Sequence, residues 1–233
     1  MSLISNVDKI LNTKENINDI GYLKNPMSYD DDLNILEGLD LKSIIPAPPK
    51  NDSITTIKEL KVVSEATSQR TQSELMLIEA VDKEPLNLFY KFLEDKKLTF
   101  PTSKFRRYFN IVEEYLYALK YYYNRARPEQ IAPYHGIEIN VLHTKTHDTP
   151  AYPSGHQMYA ELAAHIANEE YPQYKKEFFK ISDYCGIARV LQGVHYQSDN
   201  DVSKIAISKI YPKIKEKENE YKKSQVIPPN GRT

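Results

Sequence analysis

The longest helical pattern in the sequence is the segment 101–127, PTSKFRRYFNIVEEYLYALKYYYNRAR, and it constrains the fold most strongly. Pro101 suits the start of a helix, where its missing N–H is not needed. Apolar residues then recur at the three- and four-residue spacing that places them on one helix face. Arg127 precedes Pro128, and a residue before proline is pushed out of the helical region. The segment is therefore predicted to be a long helix that ends at Arg127.

Other segments share this helical character, and none has a convincing strand pattern. Glycine is sparse, with 7 residues among 233, whereas Lys, Glu, Leu, Ile and Ala are abundant and favour helices. GIEINVL, at 136–142, is the best strand candidate and a weak one. The sequence therefore predicts an all-α fold, a single-domain helical bundle, with further helices at about 55–80, 84–96, 154–170, 172–192 and 199–220.

The chain is predicted to contain an arm, a helical domain and a short tail. Its length is sufficient for one sizeable core. The proline-rich stretch 44–53, IIPAPPKNDS, cannot form a helix interior, and Asp52 or Ser53 is the predicted N-cap of the helix that follows. The predicted units are the N-terminal arm 1–45, which packs on the core or on a partner, the helical domain 46–222 and a loose tail 223–233.

Charge and composition argue against several classes of partner. The formal net charge is −1, so no overall basic field attracts nucleic acid or an anionic membrane. No stretch approaches the roughly 18 apolar residues of a membrane-spanning helix, and residues 1–19 show no signal peptide. Cys185 is the single cysteine, which fits a reducing compartment. The expected location is the cytoplasm, or the periplasm or cell exterior if a signal sequence has been removed.

Two cations stand near the end of the long predicted helix. Lys120 and Arg127 are separated by seven residues, which is close to two helical turns. They are therefore predicted to project from nearly one face. Like charges on one face repel each other unless they are solvated or share an anion. By itself this pattern favours a solvated basic face.

The segment YPSGH, 152–156, precedes a predicted helix. A helix N-terminus offers unpaired N–H groups and the positive end of a dipole, which together favour an anion. Gly155 permits close approach, Ser154 adds a hydroxyl donor, and His156 would lie beside the anion with a proton to give. The alternative is a capped helix start with an incidental histidine.

The segment RVLQGVHYQSD, 189–199, contains a histidine and a carboxylate four residues apart. Asp199 bonded to one ring nitrogen of His195 would fix its tautomer and leave the other nitrogen as a nucleophile. Arg189 supplies a planar donor fork that suits phosphate oxygens. Gly193 is predicted to break the helix and turn His195 towards the site. Taken alone, such a pair is more often a local hydrogen bond.

Together the three segments predict a site for in-line phosphoryl transfer. Three long cations neutralise the equatorial oxygens, one histidine attacks, and the other histidine protonates the leaving alcohol. This chemistry needs no metal, and the sequence shows no convincing metal cluster. The other histidines and one neighbouring acid are predicted to lie on loop surface or at an incidental helix position: His135, His143, His147, Asp148 and His165. The alternative for His147 and Asp148, just upstream of the site, is the pocket entrance.

The motifs K-x6-RP, PSGH and R-x5-H-x3-D, in this order, resemble the signature of the phosphatidic-acid phosphatase type 2 and vanadium haloperoxidase superfamily. Within it the chain most resembles the bacterial class A nonspecific acid phosphatases, through YPSGH, GVHYQSDNDVSKI, IIPAPPKNDS and YLKN at 22–25. The resemblance implies an all-helical homodimer that hydrolyses small phosphomonoesters through a phosphohistidine. It implies no metal and no cofactor, although phosphate or vanadate would fit the site and vanadate would inhibit.

The resemblance also implies a role for each motif residue. His195 is the expected nucleophile, Asp199 orients it, and His156 is the expected general acid. The phosphate is expected to be held by Lys120, Arg127, Ser154, Gly155 and Arg189. Ala188 and Gln157 depart from the family pattern, which usually has serine and threonine at these positions.

Other functions remain open at this point. A vanadium-dependent haloperoxidase would use the same oxyanion cage, although the chain is short for that group. A binding protein would keep the anion pocket without turnover, but the proposed catalytic residues are all present. A lipid or pyrophosphate phosphatase of the same superfamily is a further alternative, and the lack of an apolar spanning segment argues against the lipid enzyme.

Overall fold

The structure is a computed structural model that describes residues 16–22, 35–144 and 147–225. Within these residues the secondary structure is helical and contains no strand, which confirms the predicted all-α fold. Short 3₁₀ turns lie at Ile17–Asp19, Ala132–His135 and Pro172–Tyr174. The α-helices are α1 (Leu41–Ile44), α2 (Ile54–Ser68), α3 (Gln72–Lys83), α4 (Asn87–Asp95), α5 (Thr102–Tyr123), α6 (Pro128–Ile131), α7 (Gly155–Glu170), α8 (Lys175–Gln192) and α9 (Gln197–Ser224).

The helix predicted at 55–80 is two helices, α2 and α3, which is a correction. Thr71 begins α3 with a capping box, because its N–H donates to the Glu74 carboxylate at 2.7 Å and its hydroxyl accepts from the Glu74 N–H. The T-x-x-E pattern that marks such a start is present in the sequence. Ser53 is the N-cap of α2, as predicted, and accepts from the Thr56 N–H at 3.2 Å.

Helix α5 ends at Tyr123 rather than Arg127, and this corrects the predicted placement of two cations. Asn124 closes the helix in the left-handed conformation, with φ of 46°, and donates its N–H to the Lys120 carbonyl at 2.8 Å. Asparagine tolerates this conformation better than most residues, so it stops the helix before the proline does. Lys120 and Arg127 therefore do not share a helix face, because Arg127 lies just before α6.

The weak strand candidate 136–142 is an irregular segment instead of a strand. Its backbone bonds to side chains of α2, because the Ser64 hydroxyl donates to the Glu138 carbonyl at 2.6 Å. The Asn140 N–H likewise donates to the Thr67 hydroxyl at 3.2 Å. The polar backbone groups of this segment are thus satisfied without a neighbouring strand.

Helix α7 is central in the bundle and packs against α5, α8 and α9. Close packing is possible because α7 carries small buried residues and because α8 has Gly186, where a Cβ would lie 2.1 Å from Gln157 Oε1. Each neighbouring helix carries one candidate residue: Lys120 on α5, Arg189 on α8 and Asp199 on α9. The packing of α7 therefore brings distant parts of the chain to its N-terminal end. The small buried residues are Ala160, Ala163, Ala164 and Ala167.

The described parts of the N-terminal arm, 16–22 and 35–45, pack on the helical domain, and Leu39, Leu41 and Ile45 join its core. The Tyr22 N–H donates to Asn124 Oδ1 at 2.9 Å, and Asn124 Nδ2 donates back to the Tyr22 carbonyl at 3.1 Å. The predicted tail from residue 223 begins inside α9, which runs to Ser224. The remaining arm and tail residues, 1–15, 23–34 and 226–233, lie outside the described residues, as do positions 23–25 of YLKN.

Candidate active site

The second and third sequence motifs meet at the N-terminal end of α7, where Arg127 joins them. His195 Nδ1 lies 3.0 Å from Asp199 Oδ2, and Arg127 Nη1 lies 2.8 Å from His195 Nε2. The Ser154 N–H donates to the Asp199 carbonyl at 3.2 Å, which ties the start of α7 to the start of α9. The structure therefore brings together residues that the sequence places up to 72 positions apart (199 − 127 = 72).

The surroundings of His195 select one tautomer. Asp199 faces Nδ1 as an acceptor, whereas Arg127 faces Nε2 as an obligate donor. Nδ1 is therefore the protonated nitrogen, and Nε2 carries the lone pair. Burial, and then the charges of Arg127, Lys120 and Arg189, hold the pKa of His195 well below its usual value. A neutral imidazole with an available Nε2 lone pair is the form that acts as a nucleophile.

Gly193 ends α8 and turns the chain towards the site, as predicted. Its φ is 88°, in the left-handed region that favours glycine, and a Cβ there would lie 3.3 Å from the Val141 backbone. The turn also presents the Val194 carbonyl, which accepts from Arg127 Nη1 at 2.6 Å. Any larger residue at 193 would strain the turn that positions His195.

Arg125, which the sequence did not single out, fixes the carboxylate of Asp199. Arg125 Nη1 donates to Asp199 Oδ1 at 2.6 Å, and its Nη2 donates to Glu59 Oε2 at 2.9 Å. The second Asp199 oxygen accepts the Tyr196 N–H at 2.9 Å and also faces His195. Burial raises the pKa of Asp199, and the charge of Arg125 counteracts that rise. Both carboxylate oxygens are thus held in place.

Lys120 and Arg127 are buried cations whose direct partners are neutral. Their exposed fractions are 3% and 1%. The Lys120 ammonium donates to the Pro150 carbonyl, and Arg127 Nε donates to the Thr149 carbonyl at 3.0 Å. No carboxylate in the described part of the chain forms an ion pair with either one. Burial, followed by the charge of Arg127, holds the pKa of Lys120 well below its usual value.

Arg189 is the third buried cation, and it does have an acidic partner. Its Nη1 donates to Asp82 Oδ1 at 2.7 Å and to Gln192 Oε1 at 2.5 Å. Burial lowers the pKa of Arg189 to about 10, against the opposing effect of Asp82. Asp82 lies 107 positions earlier in the chain, and no local sequence pattern indicates this pairing.

Ser154 and Gly155 form the start of α7. The Ser154 hydroxyl is buried and has no hydrogen-bond partner among the described residues, although Ser154 is the N-cap. The amides of the first turn have no acceptors within their own helix. A Cβ at Gly155 would lie 3.0 Å from Leu116 Cδ2. The packing of α7 on α5 therefore favours glycine here, in addition to the predicted approach of an anion.

His156 lies in the field of the same three cations. Burial, and then Arg189, Arg127 and Lys120, hold its pKa well below its usual value. The charge of His156 also acts on the pKa of His195, so the two rings belong to one electrostatic cluster. In this state His156 is mostly neutral near pH 7.

Gln157, which departs from the family pattern, lies beside the site but joins a separate polar network. Its Nε2 donates to the Ser182 hydroxyl at 2.7 Å, and Ser182 donates to Glu161 Oε2 at 2.6 Å. These residues lie between α7 and α8. Glutamine in place of the usual threonine at this position therefore changes the polar contacts inside the bundle.

Two further features border the cationic cluster. The Tyr22 hydroxyl donates to the His147 carbonyl at 3.0 Å and interacts with Arg127. Side chains suited to hold a metal ion meet nearby, namely Glu129, His143 and His147. The sequence predicts loop surface for both histidines and gives no indication of Glu129 in α6. In the structure, Glu129 Oε1 lies 3.3 Å from His147 Nε2 and Glu129 Oε2 lies 3.9 Å from His143 Nδ1.

Comparison with known proteins places this site within a recognised domain. Residues 109–206 match a family model described as the PAP2 superfamily. This region contains every predicted site residue. No curated protein sequence matches the chain.

Among solved structures, the fold is similar to that of a transmembrane PAP2-type phosphatidylglycerolphosphate phosphatase from Bacillus subtilis. The TM-score is 0.50 at 15% sequence identity, over 72% of this chain and 89% of that chain. In the described part of this chain, no helix has both the length and the apolar character to cross a membrane. Residues 109–206 are therefore similar to a PAP2 superfamily domain, and the chain has an all-helical fold of the PAP2 type.

Proposed function

We propose that this chain is a phosphatase that hydrolyses small phosphomonoesters, without a metal ion, through a phosphohistidine on His195. The burial of Lys120 and Arg127 is the observation that supports this most directly. A solvated basic face requires exposed cations, and these two are almost fully buried. A buried charge without a counter-charge is costly, so the pair favours a bound anion. A phosphate group supplies that charge.

In the first step, His195 Nε2 attacks phosphorus in line with the departing oxygen. Arg127, which donates to Nε2 in the free protein, transfers its donors to the phosphate oxygens. A bond forms between nitrogen and phosphorus while the bond from phosphorus to the leaving oxygen breaks. His156 donates its proton to that oxygen, and the free alcohol departs. The three cations stabilise the charge that spreads over the equatorial oxygens.

In the second step, water attacks the phosphohistidine. His156 has given up its proton and now accepts one from the water as the new oxygen–phosphorus bond forms. The phosphorus–nitrogen bond breaks, and its electron pair returns to Nε2 of His195. Asp199 stabilises the positive charge on the ring while the phosphohistidine exists, as it is bonded to Nδ1–H throughout.

The bound substrate also helps to protonate His156. Three cations lower the pKa of His156 in the free protein. A phosphate dianion placed among them offsets their field, which raises this pKa again. The general acid is therefore charged in the substrate complex, where its proton is needed.

The first prediction is that turnover of p-nitrophenyl phosphate continues in excess EDTA. The cations of the site perform the charge neutralisation that a metal performs in other phosphatases. Orthovanadate should inhibit competitively, because a five-coordinate oxyanion resembles the transition state. The measurement is steady-state kinetics on metal-stripped protein. Activity that disappears in EDTA and returns with magnesium or zinc would contradict the proposed mechanism.

The same preparation distinguishes the alternative functions. Bromide oxidation in the presence of vanadate and peroxide tests for a haloperoxidase. Phosphatidate in mixed micelles and inorganic pyrophosphate test the other phosphatase classes. We expect the aryl phosphate to be the best substrate of this set.

The second prediction concerns His156→Ala. Its turnover should fall by about 10²- to 10⁴-fold for an alkyl phosphate and much less for p-nitrophenyl phosphate, whose leaving group needs little protonation. Because the pKa of His156 is lowered in the free protein, its protonated fraction grows as the pH falls below 7. The wild-type kcat/KM for the alkyl substrate should rise accordingly, until the pH approaches the pKa of His195, which is also lowered.

That acid-dependent rise should be missing in His156→Ala and present in the matched control His135→Ala. His135 is half-buried, with its ring bonded to the Asn51 carbonyl at 2.9 Å, away from the cationic cluster. Equal losses for the nitrophenyl and alkyl substrates would show that His156 is not the general acid.

A further inference from the structure

We infer that Glu129, His143 and His147 form a binding site for a divalent transition metal of the Zn²⁺ class, at the edge of the phosphate pocket. The proposed function assigns no role to these three side chains. They come from α6 and from the irregular segment that leads to YPSGH. The inference is independent of the reaction mechanism and concerns what holds the pocket edge in place.

The spacing of the ligand atoms fits this class of metal. His147 Nε2 lies 3.3 Å from Glu129 Oε1, and His143 Nδ1 lies 3.9 Å from Glu129 Oε2. One ligand atom from each residue can be chosen so that all lie within 4.8 Å of one another. Around a tetrahedral ion with bonds of about 2.1 Å, neighbouring ligand atoms are about 3.4 Å apart. The pair of His147 and Glu129 already has this separation.

His143 can complete the set by a small rotation. Its side chain is 76% exposed, so little packing opposes the movement that brings Nδ1 closer. Two imidazoles and one carboxylate then supply three protein ligands and leave a fourth position for water. Nitrogen-containing sets of this kind suit zinc and its neighbours, whereas magnesium and calcium prefer oxygen ligands.

A hydrogen bond at Nδ1, the ring nitrogen that does not face the metal, orients His147 for coordination through Nε2. Its Nδ1 is in close contact with the Thr144 carbonyl, to which it donates. The Thr144 N–H lies farther away, at 3.4 Å, so the carbonyl decides the tautomer. The Nε2 lone pair then points towards the Glu129 carboxylate at 3.3 Å, where either a proton or a metal ion joins the two atoms. Such an outer hydrogen bond is typical of metal-bound histidine.

The position of the cluster gives the metal a structural role. Glu129 follows Arg127 by two residues, and His147 precedes Thr149 by two. The Thr149 carbonyl holds Arg127 Nε, and the His147 carbonyl holds the Tyr22 hydroxyl. A bound metal therefore ties α6 to the segment that fixes Arg127. It braces the phosphate pocket and takes no part in the transfer of the phosphoryl group.

The test is isothermal titration calorimetry of the full, metal-stripped chain with ZnCl₂. We expect one Zn²⁺ to bind per chain. His143→Ala should weaken binding about tenfold or more, and His147→Gln combined with Glu129→Gln should abolish it. His135→Gln is the matched control, and its affinity should equal that of the wild type. Circular dichroism of each variant without metal establishes that its fold is intact.

A melting-temperature series provides the second measurement. Zn²⁺ should raise the melting temperature of the wild type and of His135→Gln, and EDTA should reverse this rise. The variant His147→Gln with Glu129→Gln should not respond. Unchanged zinc affinity in that folded variant, or no binding by the wild type, overturns the inference. EDTA-sensitive activity in the folded variant His147→Gln with Glu129→Gln, which lacks the proposed metal site, would contradict the metal-independent mechanism, while the zinc titration alone decides the metal site.

Discussion

His195→Ala is expected to lose turnover by about 10⁵-fold or more, because removal of a catalytic nucleophile costs on this scale. The ring nitrogen that would carry the phosphoryl group is then missing, so the covalent intermediate should vanish as well. The measurement combines steady-state kinetics with rapid quenching of a ³²P-labelled aryl phosphate. A phosphohistidine survives base and is lost in acid, which identifies it in the quenched wild-type protein.

The cavity left by this substitution offers a sharper test. Asp199 and Arg127 remain on either side of the missing ring. Added imidazole should therefore restore part of the turnover in His195→Ala and have no effect on His135→Ala. A labelled phosphoenzyme that still forms in His195→Ala would assign the nucleophile to another residue, with His156 the first to examine.

Asp199→Asn should reduce turnover by about 10⁴-fold, by analogy with the loss of charge in a serine-protease triad. The amide presents an N–H where His195 Nδ1–H needs an acceptor, which favours the wrong tautomer. The same change should lower the free energy of unfolding by about 3 kcal/mol, because it removes one charge from a buried ion pair with Arg125. Melting temperature and kcat are measured on the same preparation.

Glu59→Gln is the matched control for this experiment. Glu59 is the other carboxylate on Arg125, at 2.9 Å, so its neutralisation also unbalances the buried cation. It makes no contact with His195 in the described structure, and turnover of the folded variant should be retained. If Asp199→Asn also kept its kcat while folded, Asp199 would be a structural residue only.

The stability effect differs from what the sequence alone predicts. Asparagine caps a helix about as well as aspartate, so a residue near the start of a helix is expected to tolerate this change. Asp199 does lie in the first turn of α9 and bonds the Tyr196 N–H. The structure adds a buried guanidinium that needs the negative charge. Helix-end propensity is a local property, whereas this ion pair joins residues 74 positions apart.

The sequence by itself determined the helical class and the identity of the motif residues. Apolar periodicity, a proline at a helix start and a glycine in the left-handed turn at 193 act within a few residues, so they are visible in any short window. The same is true of His195 and Asp199, which are close enough in the chain to bond without help from the remaining fold. The left-handed Asn124 and the capping box at Thr71 are also local, so both helix boundaries are encoded in short stretches of the sequence.

Only the tertiary structure decided which charged side chains are buried and which side chains lie against them as partners. The fold removes Lys120 and Arg127 from water, and the proposed anion site rests on this burial. Arg125 with Glu59, Arg189 with Asp82, and Glu129 with two histidines are pairings across turns and between helices. The free energy of a charge depends on the solvent and the countercharges around it, and these are set by the packing of residues that are distant in the chain.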